Sequence, residues 1–150
     1  MDISRFHIAG INYKKSNATT RGQFAIANEQ YAIILEKAAT LGINELFILS
    51  TCNRTEIYGV AENVQQLVDL LCSQTKGDAA EFNELAYVKQ GKKAIQHLFD
   101  VSAGLDSQIL GDYEIVGQIK AAIKFSKERC FVGTFMDRLV SAVLQSSKAI

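Results

Sequence analysis

The chain has 150 residues, with 16 Lys and Arg against 16 Asp and Glu, two His, three Cys and no proline. At 48% hydrophobic and 21% charged residues it can build a sizeable core, which excludes disordered and fibrous classes. The balanced charge shows no overall signature of a nucleic-acid or membrane-surface module, and the length fits one domain or at most two.

Residues 5–12 read as a strand, with Phe6 and Ile8 on one face and His7, Ala9 and Ile11 on the other. Residues 16–22 are polar and turn-like. A helix follows over 28–41, capped by Asn28, burying Tyr31, Ile34, Leu35, Ala38 and Leu41, and stopped by Gly42. Residues 43–50 form a second strand, whose run Leu46-Phe47-Ile48-Leu49 suggests burial on both faces. Residues 55–61 form a third. Asn63 caps a short helix with Val64, Leu67, Val68 and Leu71, residues 76–83 look like a loop, and 85–89 make a fourth strand. The order β-α-β-β-α-β is the ferredoxin-like arrangement, an α+β sandwich.

After Gln90 the pattern turns helical. Residues 92–103 present Ile95, Leu98, Phe99 and Ser102 inward and end at Gly104. Asp112 caps a second helix with the stripe Ile115, Ile119, Ala122, Ile123 and Ser126. Thr134 and Asp137 open a third in capping-box fashion, with no stop signal before Ile150. The expected organisation is a ferredoxin-like half (1–90), a helical half (91–132) and the start of a long helix (133–150) that the chain end interrupts.

The N-terminus has no secretory pattern, and no apolar run approaches a membrane span. Three cysteines without a C-x-x-C pair argue against a disulfide framework or a zinc site and suit a reducing cytoplasm.

Cys52 is the most informative residue. It lies between two strands, in Ser50-Thr51-Cys52-Asn53-Arg54-Thr55-Glu56, where a turn held at both ends can present a nucleophile. Asn53, Thr51 and backbone amides can hold an oxyanion, and the Arg54 fork suits a carboxylate and a nearby thiolate. The plainer alternative is a tolerated turn cysteine, with Arg54 paired to Glu56 on the sheet surface. Cys72 and Cys130 read as helix-end packing residues. His97 sits one residue off its helix's apolar stripe, and Ser107 and Asp112 flank a glycine-bounded loop before a helix N-terminus, where anions are favoured.

The motif around Cys52, followed by His97-Leu98-Phe99 and Gly104-Leu105-Asp106-Ser107-x-Ile109-Leu110-Gly111, resembles glutamyl-tRNA reductase. The resemblance spans nearly the whole chain but only the N-terminal third or so of a family member. It implies a catalytic domain leading into a long spinal helix, within a V-shaped homodimer that also carries NADPH and dimerisation domains. It implies Cys52 as nucleophile on glutamyl-tRNA, giving a glutamyl thioester that NADPH reduces to glutamate 1-semialdehyde, the first step of tetrapyrrole synthesis. His97 becomes the activity-linked histidine, as base or positioning group. Thr51, Asn53, Arg54, Ser107, Asp112, Tyr113, Glu114 and Gln118 become substrate contacts. Gly111-Asp112-Tyr113 departs from the family's usual Gly-Glu.

No G-x-G-x-x-G occurs, so NADPH is expected to bind outside this chain, no metal is expected, and the fragment should form the thioester without reducing it. Glutamate-1-semialdehyde aminotransferase is a further expected partner. The neutral charge leaves this piece only the aminoacyl tip of the tRNA. Two other readings stand beside this one: a Cys52/His97 ester hydrolase, and a ferredoxin-like ligand-binding module in which Cys52 is structural.

Overall fold

The computed structural model describes residues 2–105 and 114–148. Strands β1 (Phe6–Asn12), β2 (Leu46–Ser50), β3 (Arg54–Val60) and β4 (Tyr87–Gln90) form one sheet in the order β2-β3-β1-β4, every neighbour antiparallel. Between β1 and β2 lie α1 (Ala18–Gln23) and α2 (Asn28–Thr40), and between β3 and β4 lie α3 (Val64–Cys72) and α4 (Ala79–Leu85). Helices α5 (Lys92–Ser102), α6 (Glu114–Glu128) and α7 (Thr134–Lys148) follow. This is the α+β class and the strand order of a ferredoxin-like sheet.

Strand alternation sorts the core into two layers. Ala9, Ile11, Leu46, Ile48 and Ile57 face α2, α3 and α4, while Phe6, Ile8, Phe47, Leu49 and Tyr58 face α5, α6 and α7. Helices on both faces explain the near-continuous apolar strands, and all seven β1 residues are buried.

The β2 edge is closed by side chains. Tyr31 Oη accepts from Ile48 N at 3.1 Å and donates to the Ala122 carbonyl at 3.0 Å, and it also bonds Ser126 Oγ. Ser126 Oγ donates to the Leu46 carbonyl at 2.7 Å, and Leu46 N donates to the Phe131 carbonyl. Burial pushes the Tyr31 hydroxyl up to about 12, so it stays protonated as a donor.

Several elements differ from the sequence expectation. The turn-like 16–22 contains α1, capped by Asn17 on Thr20 N at 2.8 Å, and the loop-like 76–83 leads into α4, capped by Asp78 on Glu81 N at 2.9 Å. Helices this short leave too few turns for periodicity to register. Because α4 runs to Leu85, β4 starts only at Tyr87. In α2, Asn28 is the first helical residue rather than the cap, and Gln30 Oε1 accepts from Ala27 N instead. On α5 the buried face is Ala94, His97, Leu98, Val101 and Ser102, with Ile95 and Phe99 half-buried. Thr134 does not cap α7; the Glu45 carboxylate, distant in sequence, accepts from Met136 N at 2.9 Å. Cys130 is exposed with φ +65°, a turn position after α6 rather than a core site. The α6 stripe matches expectation, and the Asp112 cap lies outside the described residues.

Candidate active site

The β2–β3 connection is short. Ser50 pairs with Thr55, Thr51 N donates to the Arg54 carbonyl at 2.8 Å, and Cys52 and Asn53 form the tip. Thr51 Oγ1 accepts from Asn53 N at 3.1 Å. Two other segments hold the tip: Tyr13 N donates to the Asn53 carbonyl, and Arg21 Nε donates to the Cys52 carbonyl at 3.0 Å. Arg21 Nη1 also donates to the Ser16 carbonyl, so α1 braces the turn. Cys52 is therefore exposed on a backbone fixed from three sides.

Directly behind the turn, β3 directs Arg54, Glu56 and Tyr58 toward the α5–α7 layer. Glu56 is fully buried, and four donors surround its carboxylate. His97 Nε2 lies 2.6 Å from Oε2 and Arg54 Nη1 donates to Oε2 at 3.3 Å. The Tyr87 hydroxyl donates to Oε2 as well, and Tyr58 Oη donates to Oε1 at 2.8 Å. Burial alone raises the Glu56 pKa, but the His97 hydrogen bond and charge, the Arg54 charge and the Tyr87 hydroxyl outweigh it and hold the carboxyl below its usual range. Burial and the adjacent Glu56 keep the Tyr58 hydroxyl protonated.

Gly10, opposite Glu56 in the β1–β3 register, makes this cluster possible. A Cβ there would stand 2.7 Å from Glu56 Cγ and 3.0 Å from Tyr87 Oη. The pairing of Arg54 with Glu56 is present, but in the interior rather than on the sheet surface, with Arg54 only 1% exposed. His97, placed by sequence at the border of its helix's apolar stripe, is buried through its bond to Glu56. Glu56, Tyr58, Tyr87, Gly10 and Arg21 were not singled out from sequence as site residues. The available signal was polar residues at alternate strand positions on a face that must be covered.

His97 also lines a cleft of about 410 Å³ with Asn12, Lys14, Lys15, Tyr87 and Asp100. Asn12 is the register partner of Arg54, so this cleft and the Cys52 turn share one end of the sheet, although Cys52 is not among the cleft's lining residues. Gln118 lines a separate cavity of about 220 Å³ with Ser50, Asn28 and Tyr31 at the base of the same turn. Glu114 is exposed at the start of α6, and Ser107, Asp112 and Tyr113 lie outside the described residues.

Residues 9–150 match the family model described as the glutamyl-tRNAGlu reductase N-terminal domain. The chain belongs to that family. It is 50% identical over 145 residues to a glutamyl-tRNA reductase of Flavobacterium psychrophilum, covering 97% of this chain and 35% of that one. A glutamyl-tRNA reductase of Aquifex aeolicus is 33% identical over 99% of this chain and 37% of its own. The solved glutamyl-tRNA reductase of Methanopyrus kandleri superposes with a TM-score of 0.78 at 24% identity, covering 97% of this chain and 34% of that one, which supports the fold. The chain thus spans about a third of the relatives it matches.

The described residues do not fit a dinucleotide: the sheet is wholly antiparallel, with no strand, glycine-rich turn and helix arranged around a parallel crossover. Among them, no group of three or more His, Cys, Asp or Glu could hold a metal, and no helix is long and apolar enough to cross a membrane.

Proposed function

We propose that this chain carries the acyl-transfer half of glutamyl-tRNA reductase chemistry, with Cys52 as nucleophile. The observation that carries the reading is an exposed thiol on a turn whose backbone is pinned by Arg21 and Tyr13 and backed by a buried carboxylate cluster. The thiolate attacks the carbonyl of the ester joining glutamate to the tRNA 3′ end. A carbon–sulfur bond forms, the carbon–oxygen bond breaks, and the ribose oxygen leaves with a proton.

Thr51 and Asn53 flank the reacting carbonyl, and Glu114 and Gln118 on α6 are further substrate contacts; Ser107, Asp112 and Tyr113 take the same role on family resemblance alone. Arg54 contributes as a buried positive charge behind the turn, since one of its N–H groups already serves Glu56. With Nε2–H donating to Glu56, His97 has Nδ1 to offer the cleft, where it takes the Cys52 thiol proton and passes it to the leaving ribose oxygen.

In the whole enzyme the thioester is the acyl group for NADPH-dependent reduction to glutamate 1-semialdehyde, the entry to tetrapyrrole synthesis. That step belongs to residues outside this chain. Cytoplasmic location, a homodimeric enzyme and hand-over to glutamate-1-semialdehyde aminotransferase belong to the same reading and rest on family membership alone.

The test is covalent trapping of labelled glutamate from glutamyl-tRNA, read by mass spectrometry. Cys52→Ser abolishes the adduct, whereas Cys72→Ser and Cys130→Ser retain it. Equal labelling in all three variants removes Cys52 from the mechanism. Equal turnover of glutamyl and other aminoacyl esters would instead favour a general hydrolase.

A further inference from the structure

Glu45 stands one residue before β2 and is half-buried. Its backbone carbonyl accepts from Val60 N at 3.0 Å, extending the β2–β3 ladder, while its carboxylate accepts from Met136 N at 2.9 Å. The next residue, Leu46, donates its amide to the Phe131 carbonyl at 3.0 Å. The connection from α6 to α7 is therefore tied to the start of β2 at two points.

At the head of α7 the Gly133 carbonyl accepts from Asp137 N at 2.9 Å, which makes Gly133 the N-cap residue. An N-cap side chain ordinarily accepts from the second or third helical amide, and glycine has no side chain to do so. Met136 carries the third amide, so the Glu45 carboxylate replaces the missing cap from 91 positions away. Glycine is needed there for room, because a Cβ at Gly133 would stand 2.8 Å from Glu45 Cδ and Oε1. The carboxylate also places negative charge at the positive end of the helix.

A local cap stabilises a helix wherever it points, whereas a cap carried by another element also fixes its direction. The other contacts of α7 are apolar or exposed. Met136, Leu139, Val140 and Val143 share a buried layer with Leu98 and Val101 of α5, and Phe135 lies edge-on to Phe6 at 5.3 Å. Apolar burial is non-directional, and the exposed pair of Lys127 and Asp137, 4.0 Å apart, contributes little. From Glu45 the five-residue strand β2 runs to the Cys52 turn. One strand thus holds α7 at its foot and the thiol beyond its head. In the relatives, whose N-terminal domain this chain matches, the remaining residues follow the counterpart of α7.

We propose that Glu45 is a positioning residue for the reaction. By capping α7 from the foot of β2 it sets the direction in which α7 leaves the sheet, and so places the residues beyond α7 relative to the Cys52 thioester. The proposal rests on the reading of Cys52 above and adds the element that aligns the acyl-transfer half of the enzyme with the rest.

The experiment separates a cap from a positioning device with three variants: Glu45→Ala, Glu45→Ala with Gly133→Ser, and Glu45→Gln. In the 150-residue chain, hydrogen exchange at Met136 N–H reads the cap, and residual dipolar couplings of α7 and sheet amides read the angle between them. Glu45→Ala speeds the exchange about fivefold, and the α7 couplings no longer fit the alignment frame of the sheet. Adding Gly133→Ser supplies a local cap in the space the carboxylate leaves, which restores the exchange rate but not the common frame. Glu45→Gln keeps an acceptor oxygen at the same reach and retains both. In the full-length enzyme all three variants acylate Cys52 at the parent rate. Aldehyde formation falls roughly tenfold in the first two and is retained in Glu45→Gln.

A common frame that survives Glu45→Ala overturns the proposal. So does aldehyde formation that recovers with Gly133→Ser, since Glu45 is then a cap and nothing more. Failure of Cys52 acylation in the parent enzyme counts instead against the reading of Cys52, and loss of the common frame in Glu45→Ala still supports the tie between β2 and α7.

Discussion

His97 Nε2 lies 2.6 Å from Glu56 Oε2, joining α5 to β3 across 41 positions of sequence. The contact ties the helical layer to the sheet directly behind the Cys52 turn. It also makes Glu56 the organising residue of the site, since Arg54, Tyr58 and Tyr87 converge on the same carboxylate.

Glu56→Gln removes the charge that offsets Arg54 and leaves a buried guanidinium without its counterion. Breaking one side of a buried ion pair costs about 3–5 kcal/mol, so the urea midpoint falls steeply. Adding Arg54→Met to Glu56→Gln removes the unpaired guanidinium while the amide oxygen still accepts from the neighbouring donors, so the double variant recovers part of the loss. A double variant less stable than Glu56→Gln would show that Arg54 stabilises the fold without its counterion.

The Glu56 pKa is held below its ordinary value of 4.5, and this fixes the sign of its pH effect. A carboxyl with a lowered folded pKa stabilises the fold above its unfolded pKa and loses that contribution as pH falls through the folded value. Denaturation followed from pH 6 downward therefore shows acid destabilisation below about pH 4.5. In Glu56→Gln this part of the acid sensitivity is absent; identical pH profiles for the two proteins would contradict the assignment.

Gly10→Ala drives a methyl group into Glu56 Cγ at 2.7 Å and toward Tyr87 Oη. Overpacking of this kind costs roughly 1–3 kcal/mol, read as a fall of several degrees in Tm. Gly22→Ala, with nothing within 4 Å of the added carbon, serves as control and shifts Tm little.

Arg21→Ala frees the Cys52 carbonyl without touching the core. Loss of one charge-assisted hydrogen bond of about 1.5 kcal/mol, spent on holding the turn, lowers the rate of Cys52 acylation about tenfold. The urea midpoint stays close to that of the parent chain. Parallel loss of stability and activity would make Arg21 a structural brace only.

Tyr31→Phe deletes the hydroxyl that joins β2 to α6 through Ile48, Ala122 and Ser126. The unsatisfied backbone groups cost about 1–3 kcal/mol, and hydrogen exchange speeds up at Ile48 N–H ahead of global unfolding. Unchanged exchange at that amide would remove the Tyr31 hydroxyl from the closure of the edge.

Much of this molecule is legible in its residues because the information is local. Alternation places Phe6 and Ile8 opposite Ala9 and Ile11, the apolar run at 46–49 announces a strand covered on both sides, and the α6 stripe follows from spacing alone. The Cys52 motif is equally local: a short stretch of chemistry between two strands, identifiable without coordinates. Short helices α1 and α4 escape because their caps, Asn17 and Asp78, outweigh a periodicity too brief to detect.

What only the tertiary structure decides is where long-range polar groups find partners. By itself the sequence determines the order of the four strands and of helices α2, α3, α5, α6 and α7, the neutral total charge and a cysteine in a turn. It cannot show that Glu56 would be buried, because a carboxylate in a strand is ordinarily solvated; burial becomes tolerable only when His97, Tyr87, Tyr58 and Arg54 arrive from other parts of the chain. Net charge is likewise a sum over the chain, whereas only the fold decides that Lys89, Lys92 and Lys93 line one cavity beside β4.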